Sequence, residues 1–130
     1  MKSHDSTQHG EFSWNELVTT DYQAAFNFYS ALLGWQHIDT MDMGPMGMYL
    51  MYGRDGKTLG GMMNRPAMMP ANAWIYYVTV SDLEGAIAKA TARGAQVLFG
   101  PMDVPGGDRI AQLLDPQGVL FALHSKIVAA

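Results

Sequence analysis

Glu16, His124 and Arg109 are the side chains of this sequence best suited to move protons or hold charge. A carboxylate at Glu16, two residues after Trp14, would be pushed towards its protonated form by apolar surroundings, as a general base requires. Its plainer reading is an ion pair with Arg54 or Arg109, or a place at the solvent edge. An imidazole at His124 could shuttle protons or bind a metal; its plainer reading is an exposed residue at the end of the last strand. Together, Glu16 and His124 would make a displaced two-ligand cation site, which holds a metal poorly. Arg109 follows Gly106-Gly107-Asp108. Its bidentate fork could receive an anionic ligand, or it could pair with Asp108 or Asp103 at the surface. His37 beside Trp35, and His4 and His9 in a polar N-terminal stretch, are weaker candidates. With no cysteine in the chain, thiolate metal sites, disulfides and cysteine nucleophiles are excluded, which fits a reducing cytoplasm.

The rest of the composition narrows the partners. A formal charge of −4, with Lys and Arg scattered singly, forms no basic stripe and argues against nucleic acid. No apolar run approaches the ~20 residues that cross a bilayer, and the polar start has no signal-peptide core, so a soluble, membrane-free protein is expected. A chain of 130 residues fits one domain. Eleven methionines, most of them between Met41 and Met69, could line an adaptable apolar pocket or fill core and loops.

The elements that must position these residues come in two copies. An offset of 61 to 62 residues superposes Thr20-Asp21-Tyr22-Gln23 on Ser81-Asp82-Leu83-Glu84, both of capping-box form. The helices that follow share an apolar stripe, Ala25, Phe28, Tyr29, Leu32 and Leu33 in one and Leu83, Ala86, Ile87 and Ala90 in the other. Gly34 and Gly94 stop them. Downstream, Asp55-Gly56 predicts a tight hairpin and Asp115-Pro116-Gln117-Gly118 a longer one. Strands are predicted near 12–19, 36–41, 48–53 and 58–63, then 74–80, 96–99, 109–114 and 119–125. This is an α+β class: two tandem βαβββ modules forming a curved mixed-sheet cup, with a helix on one face of each sheet. Residues 1–10 read as a disordered tail, 11–65 as module 1, 66–72 as a linker or lid, and 73–130 as module 2. Concave faces of this kind usually hold ligands.

In order and spacing, these pieces resemble the vicinal oxygen chelate superfamily, which includes glyoxalase I, bleomycin-resistance proteins and extradiol dioxygenases. The stretches that carry the resemblance are Trp14 to Asp21, Ala24-Ala25-Phe26 through Tyr29, Leu33-Gly34-Trp35, Trp74 to Asp82, Arg93-Gly94-Ala95 and Asp115 to Gly118. An uncharacterised glyoxalase-like subgroup is the nearest in flavour. The resemblance implies a homodimer. It also implies four metal-ligand positions, one seven residues before each helix-capping Asp and one four residues past each hairpin glycine. Here those positions hold Trp14, Ile75, Gly60 and Ala122. None supplies an imidazole, carboxylate or thiolate, so no cofactor is expected; a divalent ion would need a non-standard site.

Strand alternation from these positions places Glu16 and Val18 with Trp14, Tyr77 and Thr79 with Ile75, and His124 with Ala122. A two-residue turn at Asp55-Gly56 would pair Met51 with Gly60 and Tyr49 with Met62 on the same face. The expected ligand-binding set is therefore Trp14, Glu16, Tyr49, Met51, Met62, Tyr77, His124 and Arg109, with Glu16 the catalytic candidate. Gly60-Gly61 would open room for a ligand or form a bulge. Three functions follow. The first is a metal-free binder of a small apolar or aromatic molecule; the second, a lyase or isomerase using Glu16 as base; the third, a dimeric assembly or regulatory module without ligand. No phosphate loop, dinucleotide fingerprint or nucleophile elbow is present.

Overall fold

The two halves of the repeat fold in the same order. In a computed structural model that describes residues 7–126, the first half gives β1 (Phe12–Thr19), α1 (Tyr22–Leu33), β2 (Gln36–Asp42), β3 (Met48–Arg54) and β4 (Lys57–Asn64). The second gives β5 (Ala73–Thr79), α2 (Leu83–Ala92), β6 (Gln96–Asp103), β7 (Arg109–Leu114) and β8 (Leu120–Ser125). Only β6 departs much from its predicted span, extending past 99 to Asp103 along β7, with register shifts between Val97 and Met102. Among the described residues, no helix is long and apolar enough to cross a membrane.

Among the described residues two compact units result, 15–75 and 7–14 with 76–126. The first holds strands in the order β2-β3-β4-β1, with β1 and β4 parallel and the other pairs antiparallel. The second runs β5-β8-β7-β6, with β5 and β8 parallel. The residues leading into β1 belong with the end of β5, because backbone bonds of 2.8 Å tie Gly10 N–H to Thr79 O and Thr79 N–H to Glu11 O. Of the expected tail, residues 1–6, and His4 with them, lie outside the described residues. Thr7 to Gly10 have defined partners, including a 2.8 Å contact between the Thr7 and Thr79 hydroxyls.

Each helix begins one residue later than a hydroxyl cap would set it. Asp21 accepts from Gln23 N–H and Ala24 N–H, and Asp82 accepts from Gly85 N–H; aspartates, rather than Thr20 and Ser81, are the N-caps. Gly34 closes α1 in the left-handed conformation, φ 74°, with its N–H on Ser30 O.

Helix packing turns one face of each sheet into core. Against α1, the buried Leu17, Leu50, Tyr52 and Met62 meet Tyr22, Ala25, Phe26 and Tyr29. Against α2, Val80, Ala111, Leu113 and Leu123 meet Ala86, Ile87 and Ala90. The segment after β4 is stapled by side chains. Arg65 donates to Asn72 Oδ1 and Met69 O, Asn72 reaches Thr20 Oγ1, and Met69 is buried.

Candidate functional site

The register of β3 and β4 decides which side chains share the helix-free face of the 15–75 unit. The two-residue turn forms as expected, with Asp55 at φ 52° and Gly56 at φ 78°, and Arg54 pairs with Lys57. One pair further on, Leu59 is an extra residue: Gly53 meets Thr58, but Tyr52 meets Gly60. Asn15 sets this bulge by donating Nδ2–H to Leu59 O at 2.9 Å while accepting from the Tyr52 hydroxyl. Beyond it the partners slip by one, Met51 opposite Gly61 and Tyr49 opposite Met63. The expected pairings of Met51 with Gly60 and Tyr49 with Met62 are thereby corrected. Met62 points into the α1 core, so its place in the ligand-binding set passes to Met63.

Glu16 lies opposite Gly61 in the parallel pairing of β1 with β4, sharing its face with Val18, Tyr49, Met51 and Met63. It is 4% exposed, so the solvent-edge reading fails. The two arginines proposed as its partners are engaged elsewhere. Arg54 donates to Leu33 O and lies 3.6 Å from Asp55; Arg109 pairs with acids of its own unit. Gly60 and Gly61 are required by close approach. A Cβ on Gly60 would strike Asn15, and one on Gly61 would strike the Tyr49 ring, which covers the space that a side chain there would use.

On the helix-free face of the other unit, a polar chain is buried. The His124 imidazole is fully buried, with Nε2 2.8 Å from Asp108 Oδ2 and Nδ1 3.0 Å from Ser13 Oγ. A neutral ring that gives its Nε2–H to Asp108 accepts the Ser13 hydroxyl proton at Nδ1. A protonated ring donates at both nitrogens, and the Ser13 O–H then turns towards Tyr77 O at 3.5 Å. Hydroxyl, imidazole and carboxylate thus stand in an order able to pass a proton. Next to it, Gln112 Nε2–H donates to the buried Tyr77 hydroxyl at 2.7 Å. Tyr77 sits beside Ala122, and Thr79 beside His124, across β5 and β8.

His124 is therefore buried rather than exposed, and Asp108 pairs with it rather than with Arg109. Sequence order separated Ser13 from His124 by 111 residues, and the Asp108-Arg109 adjacency suggested a surface pair instead. Arg109 bonds Glu84 Oε1 at 2.7 Å and Asp103 at 3.1 Å, on half-exposed ground. It is compensated by two carboxylates, which places it in an ion network and not in the buried chain. The Glu84 carboxyl is held below the usual range, first by its hydrogen bond from Arg109, and the Arg109 guanidinium is raised by the same bond. His37 is exposed, with Nε2 2.6 Å from Thr40 Oγ1.

The α1 side of the 15–75 unit is aromatic. Trp35 stacks on Tyr52 with ring centres 4.2 Å apart and on Tyr29 at 5.5 Å, and Trp74 meets all three edge-on. A groove of ≈ 350 Å³ between α1 and the start of β5 is walled by Phe28, Tyr29 and Trp74, with Thr19 and Asn72 at its polar edge.

Residues 11–123 match the family model described as the Glyoxalase/Bleomycin resistance protein/Dioxygenase superfamily. The chain belongs to the glyoxalase superfamily. Among relatives, it is 36% identical over 114 residues to the Mycobacterium tuberculosis protein named "Putative glyoxylase CFP32", covering 88% of this chain and 43% of that one. It is 30% identical over 132 residues to "Anthracycline biosynthesis protein DnrV" of Streptomyces peucetius, covering 90% of this chain and 47% of that protein. The chain thus spans under half the length of these relatives. The fold agrees with that of hypothetical protein BH1468 from Bacillus halodurans, at TM-score 0.68 and 14% identity over 95% of this chain and 99% of that one. It also agrees with Streptomyces coelicolor methylmalonyl-CoA epimerase, at TM-score 0.65 and 18% identity over 93% and 100%.

Metal-dependent superfamily members supply the standard against which this donor set is tested, and it does not fit. Trp14, Ile75 and Ala122 are buried and carry no ligand atom. The bulge turns Gly60 to the α1 side and puts Gly61 on the face of Glu16, exchanging one glycine for another. Among the described residues, no group of three or more His, Asp or Glu is placed to hold a metal ion.

Proposed function

We propose that this glyoxalase-superfamily chain binds a small apolar or aromatic molecule without using the family's four-ligand metal centre. The observation that carries the reading is the set of side chains at those positions, which replaces donors by an indole, a sec-butyl chain, a methyl and a bare backbone over which Tyr49 lies. The proposed ligand-facing residues are Glu16, Tyr49, Met51 and Met63 within the 15–75 unit, and Trp14, Tyr77 and His124 within the other unit taken by itself. One relative's name places it in anthracycline biosynthesis, and anthracyclines are polycyclic aromatics; that supports an aromatic ligand class. We further propose that this half-length chain acts as a homodimer, so light scattering should return twice the chain mass of 14.3 kDa.

The deciding experiment measures metal in untagged protein by mass spectrometry and thermal shift on adding Zn²⁺, Mn²⁺, Fe²⁺ and Ni²⁺. Substoichiometric metal and no shift are expected, with quenching of tryptophan fluorescence by a planar aromatic ligand that is diminished in Trp14→Phe. Stoichiometric metal that survives dialysis would overturn the reading.

A second reading, an isomerase or lyase working by proton transfer, is favoured by the Asp108–His124–Ser13 chain, with Glu16 as a second base candidate. It predicts deuterium uptake from D₂O at the carbon beside a substrate carbonyl, lost in Glu16→Gln or His124→Asn. Uptake equal to wild type in both variants would remove it.

A further inference from the structure

The α2 side of its sheet carries an open groove beside the helix. The helix reads Leu83-Glu84-Gly85-Ala86-Ile87-Ala88-Lys89-Ala90-Thr91-Ala92, and its face towards β8 is built from Gly85, Ala86 and Ala90. Small residues there leave uncovered what a larger side chain would fill. The result is a groove of ≈ 410 Å³ with an apolar floor of Val80, Phe121 and Leu123, inside the usual range for ligand pockets of about 300–1,000 Å³.

Charge is placed at the rim. Lys89 and Arg93, one helical turn apart, both line the groove and are exposed. Among the described residues neither carries an ion pair. The other end is closed by His9, whose Nδ1 accepts the Ser81 backbone N–H at 3.1 Å. That acceptor role puts the proton of a neutral ring on Nε2, where it is available to donate. Asp82 also lines the groove, with Oδ1 committed to capping α2. Two cations against one carboxylate leave a net positive lining, and the Asp82 charge disfavours a dianionic head group. An Arg fork beside an ammonium suits a carboxylate.

We propose that this groove binds an amphiphilic monocarboxylate, such as a medium-chain fatty acid, with its chain on Val80, Ala86, Ala90, Phe121 and Leu123 and its head at Lys89 and Arg93. The site is independent of the metal question, so either reading can fail without the other.

The test titrates the full chain with decanoate below its micelle concentration, followed by ¹H–¹⁵N correlation spectra and calorimetry, with 1-decanol and acetate as controls. Decanoate should shift the amides of Ala86, Ala90, Phe121 and Leu123, and its affinity should fall as salt rises. The double variant Lys89→Gln/Arg93→Gln should weaken decanoate about tenfold while leaving 1-decanol unchanged. Ala90→Leu should fill the groove and abolish both. Both substituted cations are exposed, so the double variant keeps the test valid if Ala90→Leu does not fold. The proposal is overturned by decanoate shifts mapping away from α2 and β8, by wild-type affinity in the double variant, or by acetate producing the same shifts.

Discussion

The α1 and α2 units are built from one repeated pattern yet solve the same packing problem differently. Under α1 the space between helix and sheet is filled by rings: Tyr29, Trp35, Tyr52 and Trp74 contact one another in a stack. Under α2 the helix offers alanines and a glycine, and its groove is floored by Val80, Phe121 and Leu123, whereas the groove beside α1 is walled by Phe28, Tyr29 and Trp74. The helix-free faces differ in the opposite sense. In the α1 unit that face is mostly thioether and aromatic around Glu16; in the α2 unit it holds a hydrogen-bonded chain of Ser13, His124 and Asp108 beside the Gln112–Tyr77 pair. A shared backbone pattern therefore leaves side-chain volume and polarity free to specialise each half.

The sharpest way to break the contrast is to empty the polar chain. His124→Phe removes the imidazole facing the buried Asp108 and should cost about 4 kcal/mol, read as a lower urea midpoint at constant slope. A midpoint within error of wild type would mean that the pair contributes little. Trp35→Ala opens the α1 stack and should cost about 3 kcal/mol, whereas Ile87→Ala under α2 should cost nearer 1 kcal/mol, because Ile87 is only partly buried and loses far less side chain than an indole held in a ring stack. Equal losses would erase the distinction between the two helices. Tyr77→Phe removes the hydrogen bond that the Gln112 amide donates to the Tyr77 hydroxyl and should cost about 1 kcal/mol by the same measurement.

The smallest effect belongs to the surface network. Glu84 is bonded by Arg109, so its folded pKa lies below the ordinary value of 4.5. A group depressed in this way contributes stability above its unfolded pKa and loses it as pH falls through the folded value. Wild type should thus sit slightly above Glu84→Gln at pH 7, and the two should converge in acid, below the ordinary glutamate range. A gap that persists there would assign the difference to something other than ionisation.

Much of the fold was legible because its signals are local. Helix stripes, glycine stops and the Asp55-Gly56 turn depend on residues a few positions apart, and the repeat doubled each signal. What was missed depends on distance. The β3–β4 register hinges on Asn15, 37 residues from Tyr52 and 44 from Leu59, so the turn alone gave Met62 the wrong face. The Asp21 and Asp82 caps belong with the legible signals, although the capping-box pattern also offered Thr20 and Ser81 at the helix starts. His124 was picked out as a candidate, but its partners were not: Ser13 lies at the other end of the chain, and Asp108 is next to the more obvious Arg109.

The extra residue at Leu59 also gives this protein an unusual lever for change. Alternation along β4 is counted from that bulge, so deleting one codon there would exchange the inward and outward roles of Gly60 through Met63 in a single event. Point substitution would have to alter those positions one at a time. Insertion and deletion at Leu59, with Asn15 as the accommodating residue, are thus a compact route by which the lining of this half could be redrawn, in a natural lineage or by a designer, while the turn and the helix stay in place.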